Sequence, residues 1–182
     1  MATRNILMDG ERGLNKKSRT VTEFNKRLHI LLDDMRETLI EANGLGLAAP
    51  QVGVLRRVAL IVDTSIETEQ PEEQIIELIN PVIIKQDGEQ TCSEGCLSVP
   101  GVYGMVSRPD IVTVRAQDRN GNTFELEGSE LTARALCHEI DHLDGIIFTS
   151  IAERLLTEEE LAELSAQNKN NENDDEEDDQ SL

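Results

Sequence analysis

The chain has 182 residues, of which 38% are hydrophobic and 2% aromatic, so it fits one domain whose core is built from aliphatic side chains. No apolar run approaches the ~20 residues of a membrane-spanning helix, and the N-terminus lacks the apolar stretch of a signal peptide. A formal net charge of −19 argues against nucleic-acid binding through a basic surface. We therefore expect a cytoplasmic protein that binds neither nucleic acid nor a membrane.

The first part of the chain predicts an extended arm followed by a helix. Residues 3–20 carry mixed charges and glycines, which favours an arm on the surface. Residues 22–42 predict the first helix, because their apolar side chains recur at helical spacing on one face. These apolar residues are Phe24, Leu28, Leu31, Leu32, Met35 and Leu39. Thr22 is the expected N-cap of this helix. The glycine-rich segment 44–53 that follows the helix predicts a tight turn.

Short β-prone runs separated by polar turns occupy the middle of the chain. The predicted strands are residues 58–62, 75–80, 82–85, 89–93, 102–106, 111–117 and 123–127. Asn120 and Gly121 predict a hairpin between the last two strands. Because the strands do not alternate with helices, the pattern favours an α+β fold with largely antiparallel sheets.

The second predicted helix, residues 129–143, completes the core, and we expect the antiparallel sheets to surround it. Its inward face is expected to include Leu131. A short further helix is predicted over residues 155–166. Residues 1–166 are therefore expected to form a single domain, and the acidic residues 167–182 a disordered tail.

The central helix carries the motif H-E-x-x-H at His138, Glu139 and His142. Histidines four residues apart lie on one helix face, where they can bind one metal ion, and the glutamate can move a proton beside it. Phe148 stands where a third histidine would follow in one class of zinc peptidases. Cys96 is the preferred third ligand, because a thiolate binds such metals well and the glycine before it allows close approach.

The other two cysteines, Cys92 and Cys137, are expected to be small buried residues, since an odd count does not suggest disulfides. One cysteine and two histidines leave a fourth metal position open for water, as in catalytic sites. Metal-bound hydroxide would then attack a carbonyl carbon while Glu139 transfers the proton to the leaving amine. Gln51 and a backbone N–H near Cys96 are the expected oxyanion donors.

Three segments together resemble the signature motifs of the peptide deformylase family: G-L-G-L-A-A-P-Q at 44–51, E-G-C-L-S at 94–98 and H-E-I-D-H at 138–142. The resemblance extends over residues 3–151. It implies a metal-dependent amide hydrolase that removes the formyl group from the N-terminal N-formylmethionine of newly made proteins and releases formate. It also implies one divalent metal ion, typically Fe²⁺, with Zn²⁺, Ni²⁺ or Co²⁺ as other occupants, and it makes residues 1–166 a catalytic domain.

By motif position, the resemblance implies a role for several residues. The implied metal ligands are Cys96, His138 and His142. The implied catalytic residues are Glu139 as general acid/base, and Gln51 with the backbone N–H of Leu97 as oxyanion donors. The substrate peptide would bind as an added strand, and its implied contacts are Leu45, Gly46 and Gly95. The implied methionine pocket is lined by Leu45, Cys92, Leu131 and His138. Glu94 and Arg108 resemble a supporting ion pair, and Tyr103 stands near where some relatives carry an arginine.

The implied partners are N-formylmethionyl peptides of nascent chains. Some members of the family dock on the ribosome through a basic C-terminal helix. Here residues 167–182 are acidic and would be repelled by ribosomal RNA, so any proximity to the ribosome would not use such a tail.

Two other functions stay open from the residues alone. One is a metallopeptidase that cuts internal peptide bonds, although Phe148 weakens it. The other is a binding module with a structural metal site and an acidic interaction tail. That module would need a fourth protein ligand, such as Cys92 or Cys137.

Overall fold

In a computed structural model of the protein, the described residues are 2–66, 68 and 70–163. The predicted acidic tail, residues 167–182, lies outside them. Residues 158–163 are helical, so the last predicted helix begins three residues later than expected, and its predicted end also lies outside the described part. Within the described ranges, no helix has both the length and the apolar character needed to cross a membrane.

Helix α1 spans Lys26–Glu41 and buries most of the predicted apolar stripe in the core, namely Leu28, Leu31, Leu32, Met35 and Leu39. Phe24 precedes the helix and is only partly buried against this core. The N-cap of the helix is Asn25, whose side chain accepts hydrogen bonds from two N–H groups of the first turn. The prediction of Thr22 as the cap is therefore wrong, because asparagine three residues later caps at least as well as threonine. The helix is followed by Asn43 at a φ of 49°, a conformation that asparagine tolerates better than most residues.

In the described part of the chain, eight strands form two antiparallel sheets. In chain order they are β1 Gly46–Ala48, β2 Val58–Val62, β3 Ile75–Asp87, β4 Gln90–Cys96, β5 Val99–Arg108, β6 Ile111–Gln117, β7 Thr123–Ser129 and β8 Arg154–Leu155. The larger sheet has the order β1-β2-β3-β6-β7, and the smaller one has the order β4-β5-β8. The predicted antiparallel α+β architecture is thus confirmed.

Several predicted strands are longer in the structure, since β4 extends to Cys96 and β5 spans Val99–Arg108 rather than residues 102–106. Two predicted segments also differ in kind. The predicted segments 75–80 and 82–85 are one strand, β3, interrupted by a shift of register between Ile79 and Val82. Proline at position 81 interrupts the pattern in the sequence, yet a bulge accommodates it. The segment predicted as a tight turn holds strand β1 and a 3₁₀-helix over Ala49–Val52.

Helix α2, Glu130–Leu143, is the central helix, and it contacts strands of both sheets. On the larger sheet it buries Leu136 against apolar residues of β2, β3 and β6. A second apolar cluster, which includes Leu14, Val106 and Phe148, lies under the smaller sheet. The helix ends at Leu143, and Gly145 follows two residues later with a φ of 79°. A larger residue could not replace this glycine, since a Cβ there would lie 2.8 Å from the backbone of Asn15.

Candidate metal centre and active site

Three metal-ligating side chains converge where helix α2 faces strand β4. One ligand atom each from Cys96, His138 and His142 lies within 4.8 Å of the other two. The Cys96 Sγ atom is 3.2 Å from His142 Nε2, and the two imidazole rings meet edge to face with centroids 4.9 Å apart. The structure therefore brings together all three side chains that the sequence predicts as ligands.

The chemistry of these side chains fits a divalent metal ion. Glu94 Oε2 lies 3.0 Å from Nδ1 of His138, which leaves Nε2 of that ring for a metal. Burial lowers the pKa of His142 to about 3, and the charges of His138 and Arg108 add to the effect, so this ring is neutral as a ligand must be. A thiolate with two imidazoles suits borderline first-row ions.

The imidazole of His138 has a different electrostatic environment from that of His142. Burial favours its neutral form, but hydrogen bonds with Cys96 and Glu94 outweigh burial and raise its pKa to about 10. A metal ion therefore competes with a proton for this ring, and binding releases that proton.

Glu139 lies beside the three ligands and is 4% exposed. Its Oε2 atom has no hydrogen-bond partner among the described residues. Burial raises the pKa of this carboxyl to about 7. A Cβ placed on Gly46 would lie 2.7 Å from Glu139 Cδ, so any larger residue at this position would displace the glutamate side chain. A carboxyl with a free oxygen and a pKa near neutrality can accept and return a proton.

Gln51 is buried in the 3₁₀-helix and its amide is held in one orientation. Its Oε1 accepts a hydrogen bond from the N–H of Ala48 at 2.8 Å. Its Nε2 consequently faces the metal-ligating group, donating to Ser98 Oγ at 3.2 Å and lying 3.5 Å from Cys96 Sγ. Leu97, which follows Cys96 directly, lines the cleft described below. The amide of Gln51 can therefore donate to an oxygen that develops negative charge near the metal ligands.

Glu94 is the centre of a buried ionic network that supports His138. Arg108 donates to both of its oxygens, at 2.9 and 3.1 Å, which is the ion pair implied by the sequence resemblance. Burial alone would raise its pKa, but hydrogen bonds from His138 and Arg108 lower the pKa of Glu94 to about 2. A second arginine, Arg134, also donates to this carboxylate at 2.9 Å. The motifs do not include Arg134, and its only signal in the sequence is its position one turn before His138.

A cleft of about 510 Å³ opens next to these residues. It is lined by four of the predicted substrate contacts, namely Leu45, Gly46, Gly95 and Leu131, as well as by His138. Leu131 is 44% exposed, so the prediction that it faces the core is wrong. It belongs instead to the helix face that borders the cleft, together with Ala135 one turn later. Tyr103 also lines the cleft, with its ring packed on Gly95.

The two remaining cysteines lie apart from the metal-ligating group. Cys92 is exposed and is not among the residues that line the cleft, so the expectation that it is buried is wrong. The side chain of Arg134 reaches its carbonyl oxygen from α2. Cys137 is buried in the core as expected, and burial raises the pKa of its thiol to about 11. Neither thiol joins the ligand group found among the described residues, which disfavours a structural four-ligand site.

The fold, and a group of one cysteine and two histidines that could hold a metal ion, are those expected of a metal-dependent hydrolase. The chain belongs to the polypeptide deformylase family, whose sequence profile matches residues 3–157. It is 55% identical over 149 residues to the peptide deformylase of Alkaliphilus metalliredigens, covering 82% of this chain and 96% of that one. It is 53% identical over 161 residues to the peptide deformylase of Caldicellulosiruptor bescii, covering 88% and 92% of the two chains.

The structure is also similar to that of a peptide deformylase from Synechococcus elongatus in complex with actinonin. The TM-score is 0.78 at 37% sequence identity, and the match covers 85% of this chain and 83% of that one. Enzymes of this family remove the N-formyl group from nascent peptides with the help of a metal. The chain is therefore an enzyme of this kind, and the comparison favours deformylation over cleavage of internal peptide bonds.

Proposed function

We propose that this chain removes the formyl group from N-formylmethionyl peptides at the site formed by Cys96, His138, His142 and Glu139. One observation carries the assignment of residues. The three ligand atoms lie within 4.8 Å of one another, beside a buried carboxylate oxygen that has no partner among the described residues. Cys96, His138 and His142 would hold one divalent metal ion.

When bound, such an ion supplies a Lewis acid and makes water a nucleophile at neutral pH. Glu139 accepts the proton of the attacking water through its free Oε2 atom. It then returns the proton to the methionine nitrogen as the bond between the formyl carbon and that nitrogen breaks. The products are formate and a free N-terminal amine.

The negative charge that develops on the formyl oxygen needs donors placed in advance. We assign this role to Nε2 of Gln51 and to the backbone N–H of Leu97. The hydrogen bond between Ala48 N–H and Gln51 Oε1 supports the first assignment, because it turns the amide nitrogen toward Cys96. The second rests on the position of Leu97 in the cleft, directly after Cys96.

The substrate peptide would bind as an added strand along Leu45 and Gly46 on one side and Gly95 on the other. In support, β1 and β4 are both outer strands of their sheets, so each has backbone groups available for a further strand. The methionine side chain would occupy the part of the cleft near Leu45, Leu131 and His138. The exposed side chain of Cys92 gives no support to its implied place in that pocket.

For the metal we propose Fe²⁺, with Zn²⁺, Ni²⁺ or Co²⁺ able to occupy the same site. One thiolate and two imidazoles suit several of these ions, so the choice of iron rests on the family resemblance. Anaerobic purification followed by metal analysis tests it, and a stoichiometric content of another metal would overturn it.

The proposed partners are nascent chains that begin with N-formylmethionine, which places the enzyme in the cytoplasm. Residues 1–166 form the proposed catalytic domain, in keeping with a family match that ends at residue 157. Any approach to the ribosome would not depend on the acidic residues 167–182.

The substitution Glu139→Gln tests the proton-transfer role. The amide has nearly the same shape but cannot accept a proton, so formate release from formyl-Met-Ala-Ser should fall by about 10²–10⁴-fold with metal content unchanged. Glu125→Gln is a suitable control, because it changes the same groups at an exposed ion pair with Arg115. Wild-type turnover in Glu139→Gln would refute the role.

A further inference from the structure

Arg134 joins the helix that carries the histidines to the sheet that carries the cysteine. It lies in α2, four residues before His138, and is 5% exposed. Its Nη2 atom is 3.1 Å from the carbonyl oxygen of Cys92, 2.9 Å from Glu94 Oε1 and 3.2 Å from the carbonyl oxygen of Val106. The first two acceptors belong to β4 and the third to β5. A single guanidinium thus binds two strands of the smaller sheet to the central helix.

The elements that Arg134 joins are also those that supply the proposed metal ligands. His138 and His142 come from α2, which buries its apolar face on the larger sheet, whereas Cys96 ends β4 of the smaller sheet. The separation of the ligand atoms therefore depends on how β4 is placed against α2. Metal–ligand distances must be correct to within about 0.2 Å, which is a stricter demand than apolar packing alone meets.

The guanidinium group of Arg134 is buried, which is unusual for an arginine side chain that only lines a cleft. A long cationic side chain in that role usually keeps its charged end in water and packs only its stem. Here the guanidinium is buried, and its Nη1 atom has no hydrogen-bond partner among the described residues. Burial of an unsatisfied donor is unfavourable, so the contacts of Nη2 must account for the presence of arginine at this position.

We propose that Arg134 is a positioning residue of the metal site. The contacts of its Nη2 atom fix β4 against α2, so that Cys96 stands at the correct distance from the two imidazoles, and they hold the Glu94 carboxylate that orients His138. Arg108 joins the same parts of the protein from the other side. It lies in β5 and binds both Glu94 of β4 and Asp141 of α2. This inference rests on the proposed function, because it takes Cys96, His138 and His142 as the ligands.

The test uses the full chain loaded with Co²⁺, whose absorption reports a thiolate ligand directly. In Arg134→Met, cobalt affinity should fall by about 10–100-fold, and the thiolate-to-cobalt band should shift or weaken. Arg134→Lys keeps the charge, but its ammonium group ends short of the position of Nη2, so it should show the same change to a smaller degree. Arg119→Met is the control, because it removes an arginine bound to Glu77 and Asp33 away from the site, and it should keep wild-type affinity.

The possible results separate this inference from the proposal on which it rests. Unchanged cobalt affinity and spectrum in both Arg134 variants would overturn the positioning role. A wild-type protein with no thiolate-to-cobalt band would overturn the ligand set itself. If Arg134→Met shows no cooperative thermal unfolding, Arg134→Lys decides the question by the same two measurements.

Discussion

Replacing Gly46 with alanine should disable the site without unfolding the protein. Gly46 lies in strand β1, paired with Ile61 of β2, where extended backbone accepts any L-residue. A Cβ at this position would lie 2.7 Å from both Cγ and Cδ of Glu139. An ordinary carbon–carbon contact is about 3.5 Å, so the glutamate would have to move by roughly 0.8 Å. It is buried and cannot move into solvent.

The expected loss in activity follows from that displacement. Misplacing a catalytic group by about 1 Å lowers the rate by roughly 100-fold, so we expect kcat/KM for a formylated tripeptide to fall by about 10–100-fold. Formate release measures the rate, and metal analysis should show unchanged metal content. A thermal melt close to that of the wild type would show that the fold is retained.

A double-mutant cycle with Glu139→Gln tests whether the effect acts through the glutamate. If the new methyl group only displaces Glu139, it should have little further effect once that side chain can no longer transfer a proton. Equal fold losses from Gly46→Ala in both backgrounds would instead assign the effect to peptide binding along β1. Wild-type kcat/KM in the single variant Gly46→Ala would refute the steric reasoning altogether.

Two further predictions concern Gln51 and the first helix. Gln51→Ala removes a proposed oxyanion donor, so kcat should fall by about 10²–10³-fold with metal content preserved, and an unchanged kcat in steady-state assays would contradict the role. Asn25→Ala removes the observed N-cap of α1 and should destabilise the protein by about 1 kcal/mol in urea unfolding, whereas Thr22→Ala should have little effect. The reverse order of the two variants would show that the helix begins earlier.

The sequence predicted those features that depend on local spacing. The apolar repeat of α1 and the pair of histidines one turn apart in α2 are set by the 3.6-residue period, and both were found as expected. Cys96 could also be singled out, since the thiolate is a suitable third donor and lies in a motif that resembles those of a known family. In each case the residues concerned lie on one element or in one short motif.

Several features that depend on contacts between distant segments were not predicted. Nothing near Arg134 in the sequence reveals its bonds to β4 and β5, because those strands lie about 30–40 residues earlier in the chain. Leu131 has the spacing of a core residue, yet its side of the helix borders the cleft. Cys92 was expected to be buried because cysteine usually is, and only the assembled strand shows it exposed.

The proposed binding of a peptide between the two outer strands at the cleft would set the range of proteins that the enzyme can process. Strand β1 and strand β4 both border the cleft, through Gly46 and Gly95, and among the described residues each lacks a neighbour on one side within its sheet. A peptide bound between them would be held through its main chain, which is the same in every protein. Only the first side chain would then occupy the part of the cleft near Leu45, Leu131 and His138. Such binding would recognise the N-terminus itself rather than the sequence that follows it. An enzyme that acts on many different new chains requires this kind of recognition.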